Sequence, residues 1–216
     1  MYENKMVILD LDGTLWDSAE NVAASWNEAL SLAGVQHGLS GEFTSESVHA
    51  VMGKTMLEIS EIVFPDMDPE ERRKIFDECI RHENEYVSEH GGMLFPGVRE
   101  TLALLRAAGY KLAIVSNCQQ GYIDAFLDSM DMHEYFCDYE EWGRTGCPKG
   151  DNIRLVMERN NASDAIYVGD TYGDKKAADQ AQILFVHASY GFGEVPGAAA
   201  SIESFPELLE LVTELM

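Results

Sequence analysis

The sequence predicts an α/β fold in which helices cover both faces of a parallel β-sheet. The chain begins with a short apolar run at residues 6–9, which is typical of a strand buried on both faces. Its second half alternates short apolar runs with amphipathic segments of helical period. A stretch of helical periodicity lies between these two parts and indicates a small helical domain inserted after the first strand.

The insertion is predicted to begin with an amphipathic helix. Asp17 followed by Glu20 resembles a capping box, and the helix is expected to run to Ala33 with Gly34 as its stop. A second helix is predicted at residues 69–90, where the apolar residues lie on one stripe. That stripe consists of Ile75, Phe76, Cys79, Ile80, Tyr86 and Val87.

The second half predicts repeated βα units. The expected elements are a helix at 98–108, a strand at 111–115, a helix at 122–130, a short strand near Phe136, a helix at 150–159, a strand at 165–168, a helix at 174–181, a strand at 183–187 and a helix at 205–215. This order predicts a Rossmann-like core formed by residues 1–16 and 93–216, with residues 17–92 as the helical domain.

Composition limits the classes of function. The 216 residues carry a formal net charge of -23, which argues against nucleic acid and anionic membranes as partners because both attract cationic faces. The four cysteines form no C-x-x-C pair, and no apolar run approaches the length that spans a membrane. With no signal peptide apparent, we expect a cytoplasmic protein with reduced thiols.

Two acidic residues directly follow the first strand. Asp10 and Asp12 are separated by one apolar residue, so strand alternation predicts that they point to the same side of the sheet. Gly13 permits a sharp turn there, and Thr14 offers a hydroxyl beside the carboxylates. Carboxylates this close repel each other unless a cation or a shared proton compensates them, and the carboxyl end of a strand is where open α/β sheets bind ligands.

Later loops place more polar residues at the same predicted edge. Ser116 and Asn117 follow one strand, although such a pair is also ordinary in turns. Lys149 lies at a helix start, where a cation is unfavourable unless an anion is near, although a solvent-facing lysine is an equally good interpretation.

A second acidic cluster follows the strand at 165–168. Asp170 and Asp174 are four residues apart across a turn into a helix, so both can face one point. Four carboxylates at one sheet edge indicate a hard divalent cation, and Mg²⁺ fits best because it commonly binds a few carboxylates together with phosphate oxygens.

The ordered set of motifs resembles the haloacid dehalogenase superfamily. These motifs are D-x-D-G-T-L, a serine after a strand, an isolated lysine, and G-D-x-x-x-D after a further strand. The opening D-L-D-G-T-L-x-D-S is similar to the phosphoglycolate-phosphatase-like branch, and the helical insertion resembles that family's cap domain. The resemblance spans the whole chain and implies a magnesium-dependent phosphatase.

The resemblance also implies roles for single residues. Asp10 would be the nucleophile that accepts the phosphoryl group, and Asp12 the general acid that later becomes a base. Ser116 and Lys149 would hold the transferring phosphoryl oxygens.

The remaining implied roles concern binding. Gly13, Thr14 and Asn117 would help bind the substrate. Asp170, with Asp174 directly or through water, would complete the magnesium site together with Asp10 and the carbonyl of Asp12.

The expected reaction is hydrolysis of a small phosphate monoester, either phosphoglycolate-like or a sugar or nucleotide monophosphate. One alternative is β-phosphoglucomutase-like transfer, but Val22 stands where those relatives typically carry a histidine. Another is a non-enzymatic phospho-acceptor signalling domain, which would not need the helical insertion. The expected partner is a small phosphorylated metabolite, and the protein is expected to be a monomer or a homodimer.

Substrate choice is expected to depend on the insertion, since caps close over such sites. Lys54 lies beside Gly53 and is the only lysine between Lys5 and Lys74. We hypothesise that Lys54 binds a carboxylate or second phosphate of the substrate, although a solvent-facing lysine is equally compatible with the sequence.

Overall fold

The computed structural model describes residues 4–35 and 41–216, and part of the predicted helical insertion, residues 36–40, lies outside this range. A six-stranded sheet forms the core, in the order β5-β4-β1-β6-β7-β8, with every neighbouring pair parallel. Its strands are β1 (Lys5–Leu9), β4 (Lys111–Ser116), β5 (Asp138–Glu141), β6 (Asp164–Gly169), β7 (Leu184–Ala188) and β8 (Ala200–Ile202). The predicted α/β class is confirmed.

Helices cover both faces of the sheet. This is required because successive side chains of β1 point to opposite faces and are apolar on both. Val7 and Leu9 belong to one buried apolar cluster, and Met6 and Ile8 belong to another on the opposite face. The covering helices of the second half are α5 (Val98–Ala107), α6 (Tyr122–Met130), α7 (Trp142–Thr145), α8 (Lys149–Arg159), α9 (Tyr172–Ala181) and α10 (Leu208–Leu215). Helices α8 and α9 cover the Met6 face, and α5, α6 and α10 cover the Val7 face.

The described part of the insertion contains four helices. These are α1 (Ala19–Ala33), α2 (Ser45–His49), α3 (Met56–Val63) and α4 (Pro69–His90). Trp26 of α1 makes edge contacts with Phe76 of α4, at 5.7 Å between ring centroids. Asp68 caps α4 by accepting hydrogen bonds from the backbone N–H groups of Glu70 and Glu71.

Two short strands connect the insertion to the core. β2 (Trp16–Asp17) pairs antiparallel with β3 (Met93–Leu94), at the two points where the predicted boundaries lie. The division of the chain into a core and a domain of residues 17–92 stays a prediction.

The short strand expected near Phe136 is present as β5, which begins at Asp138 after a 3₁₀ turn at residues 133–135. Its acidic side chains are paired, since Arg159 forms ion pairs with Asp138 and Glu140. One local prediction is wrong, because the capping box of Asp17 and Glu20 does not form. Asp17 belongs to β2 and accepts a hydrogen bond from the N–H of Ala19, where α1 begins.

The other predicted elements are present with small shifts at their ends, and α1 ends at Gly34 as expected, in a left-handed conformation. The expected terminal helix starts as a 3₁₀ turn at Phe205–Glu207 and continues as α10. Within residues 4–35 and 41–216, no helix combines the length and the apolar character that crossing a membrane requires.

Candidate active site

The carboxyl ends of β1, β4 and β6 meet at one edge of the sheet. Asp10 directly follows β1, Ser116 ends β4, and Asp170 directly follows β6. Because β4 and β6 flank β1, these three residues become neighbours although they are far apart in the chain.

Three buried carboxylates lie together at this edge. Asp10, Asp170 and Asp174 each offer an oxygen, and these oxygens all lie within 4.8 Å of one another. Asp174 is oriented by the start of α9, where the N–H and Oγ1 of Thr171 donate hydrogen bonds to its Oδ2 at 2.9 and 2.6 Å. The prediction that Asp170 and Asp174 face one point is confirmed by this geometry.

Lys149 supplies the positive charge beside these carboxylates. Its Nζ donates a hydrogen bond to Asp174 Oδ1 at 2.6 Å and lies 3.1 Å from Asp10 Oδ1. The residue is only 5% exposed, so it is not a solvent-facing lysine. Burial opposes its charge, but the two carboxylates outweigh burial and raise the pKa of Lys149. A cation at the start of a helix needs an anion nearby, and Lys149 has two, the carboxylates of Asp174 and Asp10.

The carboxylates differ in pKa. Burial, followed by repulsion from Asp174, raises the pKa of Asp10 to about 7 despite the attraction of Lys149. Burial and the two neighbouring carboxylates raise the pKa of Asp170 to about 8. Burial would also raise the pKa of Asp174, but Lys149 and Thr171 hold it below its usual value. The cluster holds more negative charge than one lysine neutralises.

Asp12 occupies a different environment from Asp10. Its Oδ1 accepts hydrogen bonds from Trp16 Nε1 at 3.0 Å, Ser18 Oγ at 2.8 Å and Tyr122 OH at 3.0 Å. The chain turns after Leu11, so strand alternation no longer decides where Asp12 points. Three carboxylates rather than the expected four therefore form the cluster. Burial raises the pKa of Asp12, while the three donors act in the opposite direction.

The cluster fits a hard divalent cation. Oδ1 of Asp170 is buried and makes no hydrogen bond to any described residue, which is costly unless a positive charge compensates it. Two glycines leave room around this carboxylate, because a Cβ at Gly13 would lie 2.3 Å from Asp170 Oδ2 and one at Gly191 would lie 2.4 Å from Asp170 Cβ. Oxygen donors of this kind suit Mg²⁺ or a similar ion.

A cleft lies between the sheet edge and the helical insertion. Asp10, Asp12 and Ser116 line it from the core, and Lys54 lines it from the insertion. The amide Nδ2 of Asn117 donates a hydrogen bond to the carbonyl of Gly53 at 2.9 Å, so the side chain of Asn117 connects the two parts.

The other predicted binding residues lie close to this cleft or at its mouth. Gly13 has the positive φ of 81° that its turn requires. Thr14 is buried, and its carbonyl accepts a hydrogen bond from Tyr190 OH at 2.8 Å. Lys54 is exposed at the mouth, so its proposed contact with substrate stays a prediction.

Sequence reasoning missed several residues of the site. Ser18 and Tyr122 hold Asp12, and Gly191 packs against Asp170. Glu83 lines the cleft from α4. The sequence does carry a signal for Glu83, because this acidic residue lies on the apolar stripe, four residues after Cys79 and four before Val87.

The chain is similar to known proteins over most of its length. A family model described as haloacid dehalogenase-like hydrolase matches residues 7–188. The phosphoglycolate phosphatase of Vibrio parahaemolyticus is 27% identical over 223 residues, covering 96% of each chain. That of Shigella boydii is 32% identical over 211 residues, covering 86% of this chain and 81% of its own. Among solved structures, the chain is similar to the crystal structure of a predicted phosphatase from Clostridium acetobutylicum. The two sequences are 25% identical, the match covers 99% of each chain, and the TM-score is 0.78.

Proposed function

The chain belongs to the haloacid dehalogenase-like hydrolase family, and from this premise we propose that it is a magnesium-dependent phosphatase acting on a small phosphate monoester through an aspartyl-phosphate intermediate. The family match confirms the resemblance drawn from the motifs. The chain is a phosphoric monoester hydrolase, as its phosphoglycolate phosphatase relatives are named. The metal, the intermediate and the substrate are the parts of the proposal that need testing.

One observation carries the proposed mechanism: two carboxylates at the same cleft have different partners. Asp10 lies 3.1 Å from Lys149 Nζ within the acidic cluster, whereas Asp12 accepts three hydrogen bonds outside it. Carboxylates in contrasting environments can take the roles of nucleophile and of acid and base.

In the first half-reaction, a carboxylate oxygen of Asp10 forms a bond to phosphorus as the bond to the leaving alkoxide breaks. Asp12, in its protonated form, gives its proton to that alkoxide. Lys149 and Ser116 hold the phosphoryl oxygens, with the backbone near Gly13 and Asn117 assisting. The charge of Lys149 offsets the repulsion between an anionic nucleophile and an anionic phosphate.

In the second half-reaction, the now ionised Asp12 takes a proton from water, and the resulting hydroxide oxygen bonds to phosphorus. The acyl-phosphate bond breaks, inorganic phosphate leaves, and Asp10 is restored. Trp16, Ser18 and Tyr122 keep Asp12 in place for both steps, since each donates to its Oδ1.

Magnesium would be held by Asp10 and Asp170, by Asp174 directly or through water, and by the carbonyl of Asp12. When bound, it supplies positive charge that lowers the repulsion between nucleophile and phosphate. The orphaned Oδ1 of Asp170 and the shared position of three carboxylates support this assignment.

The partners remain predictions: a small phosphorylated metabolite, neither nucleic acid nor membrane, in a cytoplasmic monomer or homodimer. Thr14 is proposed to contact substrate. Mutase chemistry is less favoured because Val22, which lines the cleft, has no proton to relay. A phospho-acceptor signalling domain is the second alternative, and it would retain phosphate on Asp10 rather than release it.

Phosphate release from a panel of small esters, with and without Mg²⁺, tests the proposal. We expect turnover that needs Mg²⁺ and is abolished in both Asp10→Asn and Asp170→Asn. The control is Asp179→Asn, at an exposed position that pairs with Lys175. No turnover of any ester by the wild-type protein would contradict the phosphatase assignment.

A further inference from the structure

Glu83 is a buried carboxylate that the proposed mechanism does not use. It lies on α4, is 3% exposed, and lines the same cleft as Asp10 and Asp12. Trp26 Nε1 donates a hydrogen bond to its Oε2 at 2.5 Å, and Gln119 Nε2 donates one to its Oε1 at 3.0 Å. No ion pair involving Glu83 is found in the described part of the chain. A carboxylate buried without a cation is costly, so retaining one only for packing is a poor explanation.

Gln119 presents a second acceptor at the same place. Its Nε2 donates hydrogen bonds to Glu83 Oε1 and to Asn84 Oδ1, which determines the orientation of the amide. Its Oε1 is buried and accepts no hydrogen bond from any described residue, and the residue is 4% exposed. A buried acceptor of this kind is stabilised when a ligand brings a donor.

The surrounding wall of the cleft is aliphatic. Val22, Val48, Val51 and Ile59 line it together with Glu83 and Gln119. Apart from the polar groups at the sheet edge and Lys54 at the mouth, the cleft therefore offers one small group of hydrogen-bond acceptors, Glu83 and Gln119, within an apolar wall. Such a point discriminates strongly, because a ligand without a matching donor leaves the acceptors unpaired.

We propose that Glu83 and Gln119 select a phosphate ester whose leaving group is an uncharged alcohol carrying further hydroxyls, and that they reject a leaving group with a carboxylate. This inference rests on the proposed phosphatase function and assigns its substrate class. A substrate hydroxyl donates to Gln119 Oε1 or to the Glu83 carboxyl. A substrate carboxylate brings no donor for Gln119 Oε1, and it places a second negative charge beside Glu83 whenever that carboxyl is ionised.

A hydroxyl suits this point better than an ammonium group does. Burial raises the pKa of Glu83 to about 7, so near neutrality its carboxyl both accepts and donates hydrogen bonds. A hydroxyl also does both, whereas an ammonium only donates. Gln119 Oε1 is an uncharged acceptor, which a hydroxyl satisfies without burying a charge.

The test compares kcat/KM for glycerol 3-phosphate, phosphoglycolate, phosphoethanolamine and p-nitrophenyl phosphate in the presence of Mg²⁺. For the wild-type protein we expect glycerol 3-phosphate to exceed both phosphoglycolate and phosphoethanolamine by at least about tenfold. Glu83→Gln keeps the size of the side chain and removes its charge. It should shrink the preference for glycerol 3-phosphate over phosphoglycolate by about tenfold, chiefly through KM.

Glu89→Gln is the matched control, at an exposed position of the same helix, and should leave the preference unchanged. Better turnover of phosphoglycolate or phosphoethanolamine than of glycerol 3-phosphate would overturn the inference while leaving the phosphatase function intact. An unchanged preference in Glu83→Gln would also overturn it. Absence of turnover of every ester, including p-nitrophenyl phosphate, would overturn the phosphatase function and this inference with it.

Discussion

Lys149 donates a hydrogen bond from its Nζ to Oδ1 of Asp174 at 2.6 Å, in a site almost closed to solvent. The two residues lie in the first turns of successive helices, α8 and α9, that pack against each other. The same Nζ reaches Asp10 at 3.1 Å. Lys149 thus contacts two carboxylates of the acidic cluster, the proposed nucleophile Asp10 and Asp174. Its removal is therefore expected to affect both the charge of the site and the rate of the reaction.

Lys149→Met is expected to lower kcat by a factor of about 10²–10³, because a cation beside the transferring phosphoryl group is lost. Without added metal, the variant should also be less stable by about 3–5 kcal/mol, since buried carboxylates lose their partner. Chemical denaturation and steady-state kinetics check both effects. Lys176→Met, at an exposed position on α9, should change neither. Wild-type kcat in Lys149→Met would contradict the assigned role.

Tyr122→Phe tests whether the hydrogen bond from Tyr122 controls the pKa of Asp12. The substitution removes a donor to the ionised carboxylate, so the pKa of Asp12 should rise. The step that needs ionised Asp12 should then require higher pH, moving the acidic limb of the kcat profile upward by about one pH unit. Tyr135→Phe is the control, at a ring packed beneath Arg99 and Arg106. Superimposable profiles for wild type and Tyr122→Phe would show that this hydrogen bond does not tune Asp12.

Glu83 predicts a pH-dependent stability. Burial raises its pKa from 4.5 to about 7, so the folded state favours the protonated form. Below pH 4.5 the carboxyl of Glu83 is protonated in both the folded and the unfolded protein. As pH rises above 4.5 and through about 7, the unfolded protein loses this proton more readily, so the free energy of unfolding falls. Between about pH 5 and about pH 8, Glu83→Gln should gain about 2–3 kcal/mol relative to wild type in metal-free buffer.

Glu89→Gln should show no such trend in the same denaturation series, because position 89 is exposed. A constant difference between Glu83→Gln and wild type across this range would mean that Glu83 titrates normally.

Lys54→Ala tests the alternative in which the mouth of the cleft binds a second anion of the substrate, contrary to the selection proposed for Glu83 and Gln119. If Lys54 binds a substrate carboxylate, KM for phosphoglycolate should rise by about tenfold, while KM for glycerol 3-phosphate should stay within about twofold. Lys74→Ala, at an exposed position on α4, provides the control. If Lys54→Ala changes KM for neither ester, Lys54 is a solvent-facing lysine and does not bind substrate.

Local sequence predicted the parts of the site that local geometry determines. A buried strand followed by Asp10, and a turn that carries Asp170 and Asp174, are visible in the sequence because strand, turn and helix each have short-range signals. The sheet order then brings them together, as parallel topology requires.

The orientation of Asp12 could not be predicted in the same way. Its donor Tyr122 is 110 residues distant in sequence, and no local pattern reports such a contact. Glu83 illustrates the intermediate case. Its place on an apolar stripe is a visible anomaly, but its partner Gln119 comes from a separate loop and appears only in the fold.

The most direct test of the central claim is to isolate the phosphorylated Asp10. Asp12→Asn lacks the base for the second half-reaction, and acetyl phosphate has a leaving group that needs little protonation. After acid quenching of Asp12→Asn treated with acetyl phosphate and Mg²⁺, peptide mass spectrometry should find one phosphoryl group, on Asp10. The double variant Asp10→Asn, Asp12→Asn should carry none. A phosphoryl group on another residue, or none in Asp12→Asn while the wild-type protein hydrolyses acetyl phosphate, would contradict the account.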